Sequence, residues 1–408
     1  MSTIVPFQAL RPAPQLASQV ASKPYDVLNS HEAREETADN PYSFLHITKS
    51  EVDMPLNVDI HSQEVYDKAK ENLQTFIEQG FLLEEDKPCY YIYQLVMDGR
   101  SQTGLVCCSS VDDYEKGIIK KHELTRPEKE NDRINHMKTI RAQTGNVFLA
   151  YRSVNAIDDL IESWKRDQTP LYDFMATDGI SHTIWVVDDE GAIQAITGLF
   201  ATEVPFTYIA DGHHRAASAA KVRKALGQSA SAAANYFLTT LFPSDQLHIL
   251  DYNRLVHDLN GASVEEFIDS LQKEFFVGKV EKAFSPGQLH EFGLYVDGSW
   301  YKLVAKEGSF STDPIGVLDV TILQKNILDK LLSIKDPRTD KRIDFVGGIR
   351  GLAELEKRVD SGEMKAAFSL YPVSIQQLFD IADSGEIMPP KSTWFEPKLR
   401  DGLLTHLI

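Results

Sequence analysis

Apolar and polar positions along the chain follow two different periods. Between Val65 and Gln79 the apolar residues recur with helical spacing, which predicts an amphipathic helix ended by Gly80. The stretch CYYIYQLVMDGRSQTGLVCCSSV, residues 89–111, has strand composition on both sides of Asp98-Gly99 and predicts a β-hairpin. HTIWVVDDEGAIQAITGLF, residues 182–200, predicts a second hairpin that turns near Gly191.

Capping signals predict where two helices begin. Asn29 and Glu32 have the spacing of a capping box at the head of a short acidic helix. Thr125, Pro127 and Glu128 predict a second capping box, with proline in the first turn of the helix that follows. Hairpins mixed with helices predict an α+β, or mixed α/β, fold rather than a regular βαβ series.

Chain length predicts more than one domain. The 408 residues exceed what one compact core usually holds, and 42% of them are hydrophobic. We predict an N-terminal domain over residues 1–240 and a C-terminal α/β domain over residues 241–408.

Charge and cysteine content narrow the function class. The 42 Lys and Arg residues against 60 Asp and Glu residues give a formal charge of −18, which disfavours nucleic acid and anionic membrane as partners. No apolar run suits a signal peptide or a membrane span, so we expect a soluble cytoplasmic protein. Cys89, Cys107 and Cys108 are few and odd in number, and we expect packed strand residues rather than a disulfide.

One segment places reactive side chains between a strand and a helix. In FTYIADGHHRAASAAKVRKAL, residues 206–226, the first four residues have strand composition and those from Ala216 onward are strong helix formers. Asp211–Arg215, here called the DGHHR turn, therefore lies at a strand-to-helix junction. The first backbone N–H groups of such a helix face outward at its positive end, which predicts an anion site.

The side chains of the DGHHR turn suit a phosphate group. Gly212 lets the backbone approach a ligand, Arg215 offers a planar fork, and His213 and His214 add donors that also move protons. A purely structural alternative makes Asp211 an N-cap, Arg215 a solvated cation and one histidine a core residue. We predict no metal ligand here, because neighbouring side chains diverge and the sequence has no HExxH or CxxC motif.

A second cluster precedes the helix that begins near residue 127. In GIIKKHELTRPEKENDR, residues 117–133, His122 and Glu123 lie in a loop before the predicted cap, with Arg126 beside it. Loop residues of this kind are suited to binding and catalysis, whereas the charges from Glu128 onward are typical of a solvated helix face.

A third cluster lies near the carboxyl end. Lys391, Ser392 and Thr393, here called the KST segment, follow two stiffening prolines and supply one cation and two hydroxyls. That composition suits a small zwitterion or a phosphomonoester. The alternative is a surface turn anchored by Trp394 and Phe395.

The N-terminal PYDV and NPYSFLH segments admit two interpretations. Tyr25, Asp26 and Asn40 either line the site or form structural turns.

These motifs resemble a known superfamily. DGHHR after a strand is similar to the signature of ParB and sulfiredoxin-like proteins, in the free serine kinase branch. There a His-Glu pair precedes DGHHR and a PK(S/T)T segment follows a Gly-Glu turn, the order found here in His122-Glu123, Asp211–Arg215 and Pro390–Thr393. The whole chain also resembles a large bacterial family without an assigned function, through VPFQALRP, IKKHELTRPEKENDR, YIADGHHR and MPPKSTWF.

The resemblance implies a ParB/sulfiredoxin-like catalytic core with large insertions and a nucleotide-dependent free serine kinase. It implies ATP or ADP as donor with Mg²⁺, and nucleotide phosphates on Gly212, His213, His214 and Arg215. Asp211 would orient a histidine or hold Mg²⁺ through water.

For the acceptor, the resemblance makes Glu123 the base that takes the serine hydroxyl proton. His122, Arg126 and the KST segment would bind substrate. His213 stands where sulfiredoxins carry their catalytic cysteine, which disfavours sulfinic acid repair.

Two other functions stay open on sequence alone. A phosphoserine phosphatase would use the same phosphate site, with a phosphohistidine intermediate on His213 or His214 or with water as acceptor. A non-catalytic nucleotide or metabolite sensor would bind a ligand at the DGHHR turn without turnover. DNA partitioning is disfavoured by the charge of −18.

Overall fold

The computed structural model of the chain describes residues 1–227 and 231–408. Its helices are α1 Ala17–Val20, α2 Ser30–Thr37, α3 Leu45–Thr48, α4 Gln63–Glu78, α5 Val111–Glu115, α6 Pro127–Ile140, α7 Asn155–Asp167, α8 Glu190–Glu203, α9 His213–Leu226, α10 Val264–Leu271, α11 Asp319–Leu323, α12 Gly351–Asp360 and α13 Ile375–Ser384. A π-helical turn, Gln324–Asp329, follows α11. Across these ranges we find no helix with the length and apolar character that a bilayer crossing requires.

The strands are β1 Ile4–Val5, β2 Ala9–Pro12, β3 Leu82–Glu84, β4 Tyr90–Met97, β5 Arg100–Ser110, β6 Ile119–Lys120, β7 Ala142–Gln143, β8 Val147–Tyr151, β9 Tyr172–Met175, β10 Ser181–Val187, β11 Thr207–Asp211, β12 Tyr236–Pro243, β13 Ile249–Leu250, β14 Tyr252–Val256, β15 Phe275–Val280, β16 Glu291–Val296, β17 Ser299–Ala305, β18 Ile343–Gly347, β19 Ala366–Leu370, β20 Trp394–Phe395 and β21 Thr405–Leu407. Helices and strands are mixed along the chain, so the fold is mixed α/β, which confirms the predicted class.

The chain divides into two compact units. The first unit comprises residues 1–121, 125–247 and 397–408, and the second comprises residues 122–124 and 248–396. The domain boundary at 240/241 stays a prediction.

The first unit is built on a mixed sheet with the order β6-β11-β8-β12-β5-β4-β10-β9, to which β1 adds beside β5. Strand β8 runs parallel to β12 and antiparallel to β11, so the carboxyl end of β11 meets the start of β8 at Asp211 and Phe148. Leu149, Ile209 and Phe237 are buried in the core of this sheet. A smaller sheet, β3-β2-β21-β7, brings the last residues of the chain beside the first.

The second unit has an antiparallel sheet with the order β15-β17-β16-β19-β14-β18 and a short β13-β20 pair. Leu255, Trp300, Val346 and Leu355 belong to its core, in which α12 covers the sheet. Gly347 at the end of β18 lies so close to Trp394 that a Cβ there would be 2.7 Å from the indole ring.

Several predicted elements are confirmed. The amphipathic helix is α4, and Gly80 after it has a φ of +71°, in the left-handed region that glycine adopts freely. The capping box of α2 is formed reciprocally by Asn29 and Glu32. The first hairpin, β4-β5, turns at Asp98-Gly99, and the three cysteines are buried free thiols.

Two local predictions are wrong. The second hairpin does not form, because Asp189 accepts a hydrogen bond from the Ala192 N–H and starts α8 where the returning strand was expected. The capping box of α6 is absent, since its N-cap is Arg126 and no side chain caps it. The Thr125 hydroxyl donates instead to the Glu130 carboxylate.

Candidate functional site

The DGHHR turn joins β11 to α9 through a left-handed glycine. Gly212 is the N-cap of α9 with a φ of +94°. A Cβ at this position would lie 3.2 Å from the Arg215 guanidinium carbon and 3.3 Å from the Val147 Cα. Conformation and close packing therefore both require glycine, and an N-cap glycine has no side chain to cap the first N–H groups of the 14-residue helix.

Arg215 points back into the protein from the first turn of α9. Its side chain is 6% exposed, one guanidinium nitrogen (Nη1) donates to the Asn146 carbonyl, and Nη2 donates to Asp211 Oδ2 at 3.2 Å. Asp26 Oδ2 lies 3.7 Å from the same Nη2. Burial opposes the charge, but Asp211 and Asp26 raise the pKa of Arg215 above its ordinary value. Arg215 therefore binds two carboxylates of its own unit.

A third carboxyl group lies deeper in this cluster. Asp401 is 2% exposed and its Oδ2 has no hydrogen-bond partner among the described residues. Burial raises the pKa of Asp401 to about 7, although the Arg215 charge and the Tyr25 backbone N–H act to lower it. A Cβ on Gly145 would be 3.1 Å from Arg215 Cδ and 3.4 Å from Asp401 Oδ1, so this glycine packs closely against both side chains.

The PYDV segment is held against the turn by a second buried arginine. The Arg133 guanidinium lies 3.9 Å from the Tyr25 ring centroid and pairs with Asp132 Oδ2 at 2.6 Å. Asp132 in turn accepts from the Tyr66 hydroxyl at 2.9 Å. Asp26 is thereby fixed beside Arg215, whereas the Asn40 amide donates to the Gln19 carbonyl in a structural turn.

The two histidines of the turn differ in environment. His213 is buried, with 6% exposure. His214 is half-buried, and its Nε2 accepts a hydrogen bond from the Arg126 backbone N–H at 3.0 Å. An accepting Nε2 carries no proton, so the neutral His214 ring holds its proton on Nδ1. The predicted residue Arg126 thus lies beside the turn through its backbone.

The mouth of the cluster carries charges of both signs. The side chains of Asp26 and Asp211 are 43% and 33% exposed, and Lys398 Nζ lies 3.5 Å from Asp211 Oδ2. Exposed carboxylate oxygens are the ligands that Mg²⁺ takes in proteins, and a lysine beside them suits phosphate oxygens. The arrangement is chemically suited to an anion with its divalent cation.

The remaining predicted residues lie in the second unit. The His122 carbonyl accepts from the Met388 N–H at 2.8 Å, so the His122-Glu123 pair lies beside the loop that leads to the KST segment. Ser392 is buried and its hydroxyl donates to the Pro389 carbonyl at 2.6 Å. That hydroxyl therefore stabilises the loop itself, and Thr393 is half-buried.

A buried arginine holds the KST segment in place. Arg254 Nη2 donates to the Pro390 carbonyl at 3.3 Å and to the Lys391 carbonyl at 3.0 Å. Lys391 has a φ of +60°, and its ammonium lies 5.6 Å from the Tyr252 ring centroid. Trp394 contacts Tyr252 edge-on at 5.0 Å, so the structural anchor that the sequence offered as an alternative is present.

Sequence reasoning missed Lys398 and Asp401 and left Asp26 undecided. Lys398 and Asp401 reach the turn because the last residues of the chain return to the first unit, where the Asp401 N–H donates to the Ser22 carbonyl at 2.9 Å. No local sequence pattern marks a contact between the DGHHR turn and residues that lie almost 190 positions further along the chain. For Asp26, its place directly after Tyr25 in the PYDV segment was the available signal.

Known proteins were compared with the chain by sequence and by structure. Among curated proteins, none matches it. Similar solved structures include a free serine kinase in complex with AMP, 13% identical with a TM-score of 0.38, over 74% of this chain and 92% of that one. A conserved hypothetical protein from Pyrococcus furiosus is 15% identical with a TM-score of 0.37, over 74% and 94%. TM-scores of this size carry no argument about function.

The sequence also matches a family model. The model described as "Protein of unknown function (DUF1015)" covers residues 4–321, more than half of the chain. The chain therefore belongs to the DUF1015 family.

Proposed function

We propose that this protein transfers a phosphoryl group from ATP or ADP to the hydroxyl of free serine. The observation that carries the proposal is the DGHHR turn. It joins a glycine-capped helix start to two partly exposed carboxylates, Asp26 and Asp211, and to Lys398. A helix start of this kind binds phosphate oxygens through backbone N–H groups, and phosphoryl transfer depends chiefly on such positioning and charge stabilisation.

Mg²⁺ fits the residues at the mouth of the cluster. Asp26 and Asp211 each offer carboxylate oxygens that are partly exposed. When bound there with a nucleotide, the ion would neutralise charge on the phosphates. Arg215 then acts as a positioning residue, because it fixes both carboxylates from beneath.

The transfer step assigns the remaining roles. The serine hydroxyl oxygen bonds to the terminal phosphorus, the bond from that phosphorus to the nucleotide oxygen breaks, and Glu123 accepts the hydroxyl proton. The order of the three sequence motifs supports Glu123 as base and the KST segment as a substrate-binding element. His213 and His214 donate hydrogen bonds to the transferred group.

Nucleotide binding is tested at Gly212. In Gly212→Ala, a methyl group enters a left-handed position and meets Arg215 and Val147, so we expect ATP affinity with Mg²⁺ to fall on the order of tenfold or more. Gly80→Ala is the matched control, since Gly80 also has a positive φ, at +71°, but has open space around it. Titration calorimetry measures both. Equal ATP affinity in Gly212→Ala and the unmodified protein would contradict the proposal.

A further inference from the structure

A cavity of about 450 Å³ lies entirely among residues of the second unit. Its apolar walls are Leu124, Ile315, Ile387, Met388, Pro389 and Pro390. Its polar lining includes Glu123, Thr321, Lys325, Lys335, Asp336 and Arg338. Cavities of this size and mixed character are typical of small-molecule sites.

Three cations and two carboxylates, those of Glu123 and Asp336, line the cavity, so one positive charge is in excess. Arg338 is occupied by Asp336, with Nε and Nη2 at 2.9 and 2.8 Å from the two carboxylate oxygens. Within residues 1–227 and 231–408 neither Lys325 nor Lys335 forms an ion pair, although the charge of Lys325 helps to lower the pKa of Asp313. Two ammonium groups therefore face solvent at the rim of a cavity in a chain whose overall charge is −18.

Thr321, which lines the cavity, has a buried hydroxyl that lacks a partner within the described residues. Thr321 on α11 is 3% exposed, and its Oγ1 has no hydrogen bond within the described parts of the chain. A buried hydroxyl without a partner is costly, so the folded protein gains if a ligand supplies the missing hydrogen bond. This observation is independent of the lysines and also indicates a ligand.

We propose that this cavity binds a small organic anion. The anionic group pairs with Lys325 and Lys335 and hydrogen-bonds to Thr321 Oγ1, and an apolar body lies against Leu124 and Met388. Glu123, the proposed base, also lines this cavity, but the inference rests on Lys325, Lys335 and Thr321 and stands without phosphoryl transfer.

The test uses the full chain and a fluorescent amphipathic anion, anilinonaphthalene sulfonate. We expect hexanoate to displace the dye, and hexanol and hexylammonium to displace it on the order of tenfold less well, since only hexanoate joins an apolar body to a negative charge. Equal displacement by all three compounds would overturn the proposal.

Two sets of variants locate the site. Lys325→Glu with Lys335→Glu should weaken hexanoate binding about tenfold or more, whereas the control pair Lys279→Glu with Lys282→Glu, exposed lysines of the same unit that do not line the cavity, should not. Thr321→Val keeps the side-chain shape and should weaken hexanoate severalfold. Unchanged hexanoate affinity in the Lys325 and Lys335 variant, or in Thr321→Val, would overturn the assignment.

Discussion

Two buried arginines, one in each unit, stabilise the two predicted ligand-binding loops in opposite ways. Arg215 under the DGHHR turn is 6% exposed and faces Asp211 and Asp26, which raise its pKa. Arg254 under the KST segment is 3% exposed, and among the described residues it donates only to carbonyls, those of Tyr252, Pro390 and Lys391. Burial lowers the pKa of Arg254 to about 10.

The two arginines differ in which groups lose their partner when the arginine is removed. Removal of Arg215 leaves the partly buried carboxylates of Asp211 and Asp26 without their cation. Removal of Arg254 leaves carbonyl oxygens without a donor and also removes an uncompensated buried charge. A buried charge without a partner lowers the free energy of unfolding far more than a neutral acceptor without a donor does. The DGHHR turn is therefore a charge-balanced assembly, and the KST segment is an electropositive loop.

The largest effect is expected for Arg215→Met. The substitution leaves Asp211 and Asp26 without their common cation and the Asn146 carbonyl without its donor, so the free energy of unfolding should fall by about 3 kcal/mol or more. Arg223→Met, two turns further along α9, is the control. Arg223 pairs with Asp112 and Glu115 near the surface, and its loss should cost about 1 kcal/mol or less. Urea unfolding measures both, and equal losses would show that the Arg215 pairs do not stabilise the turn.

A smaller effect is expected for Arg254→Met. The variant loses the hydrogen bonds to Pro390 and Lys391 but also removes a buried charge, so about 1–3 kcal/mol should be lost. The same urea titration gives the value. A loss as large as that of Arg215→Met would remove the distinction between the two loops.

The smallest effect is a change in pH dependence. Burial raises the pKa of Asp401 to about 7 in the folded protein, so between about pH 4 and pH 7 the folded state holds a proton that the unfolded state has lost. Stability from this group is present at the acid end and declines as the pH rises through that window. Asp401→Asn should flatten that decline.

Asp319 in the second unit provides the comparison. Its pKa is also raised to about 7, mainly by burial and also by Glu291, but no arginine acts to lower it. Asp319→Asn should therefore also flatten the decline of stability between about pH 4 and pH 7. Unfolding free energies of both variants at several pH values check this, and an unchanged slope in Asp401→Asn would show that Asp401 is ionised in the folded protein.

Local structure was easier to predict from the sequence than contacts between distant segments of the chain. The strand, turn and helix around Asp211–Arg215 follow from composition, because β-branched residues precede the glycine and alanines follow it. The direction of Arg215 was not predictable, since its partners Asp26 and Asp211 and its neighbour Asp401 come together only through the tertiary return of residues 397–408.

Two errors have the same physical origin. At residues 188–191 the sequence DDEG suits either a turn or a helix start, and the Asp189 side chain decided for the helix by capping Ala192. At Thr125 the expected cap was lost because Glu130, whose carboxylate also pairs with Lys221 of α9, accepts the threonine hydroxyl. In both cases one side-chain hydrogen bond outweighed the local pattern.

The central claim is tested most directly by following phosphoserine and free phosphate in three reactions with the purified protein and Mg²⁺. Two contain serine with ATP or with ADP, and the third contains O-phosphoserine alone. We expect phosphoserine only with a nucleotide, and a loss on the order of a hundredfold or more in Glu123→Gln but not in Glu128→Gln, an exposed residue of α6. Phosphate released from phosphoserine without nucleotide would indicate a phosphatase instead, and no product in any reaction would contradict phosphoryl transfer to serine.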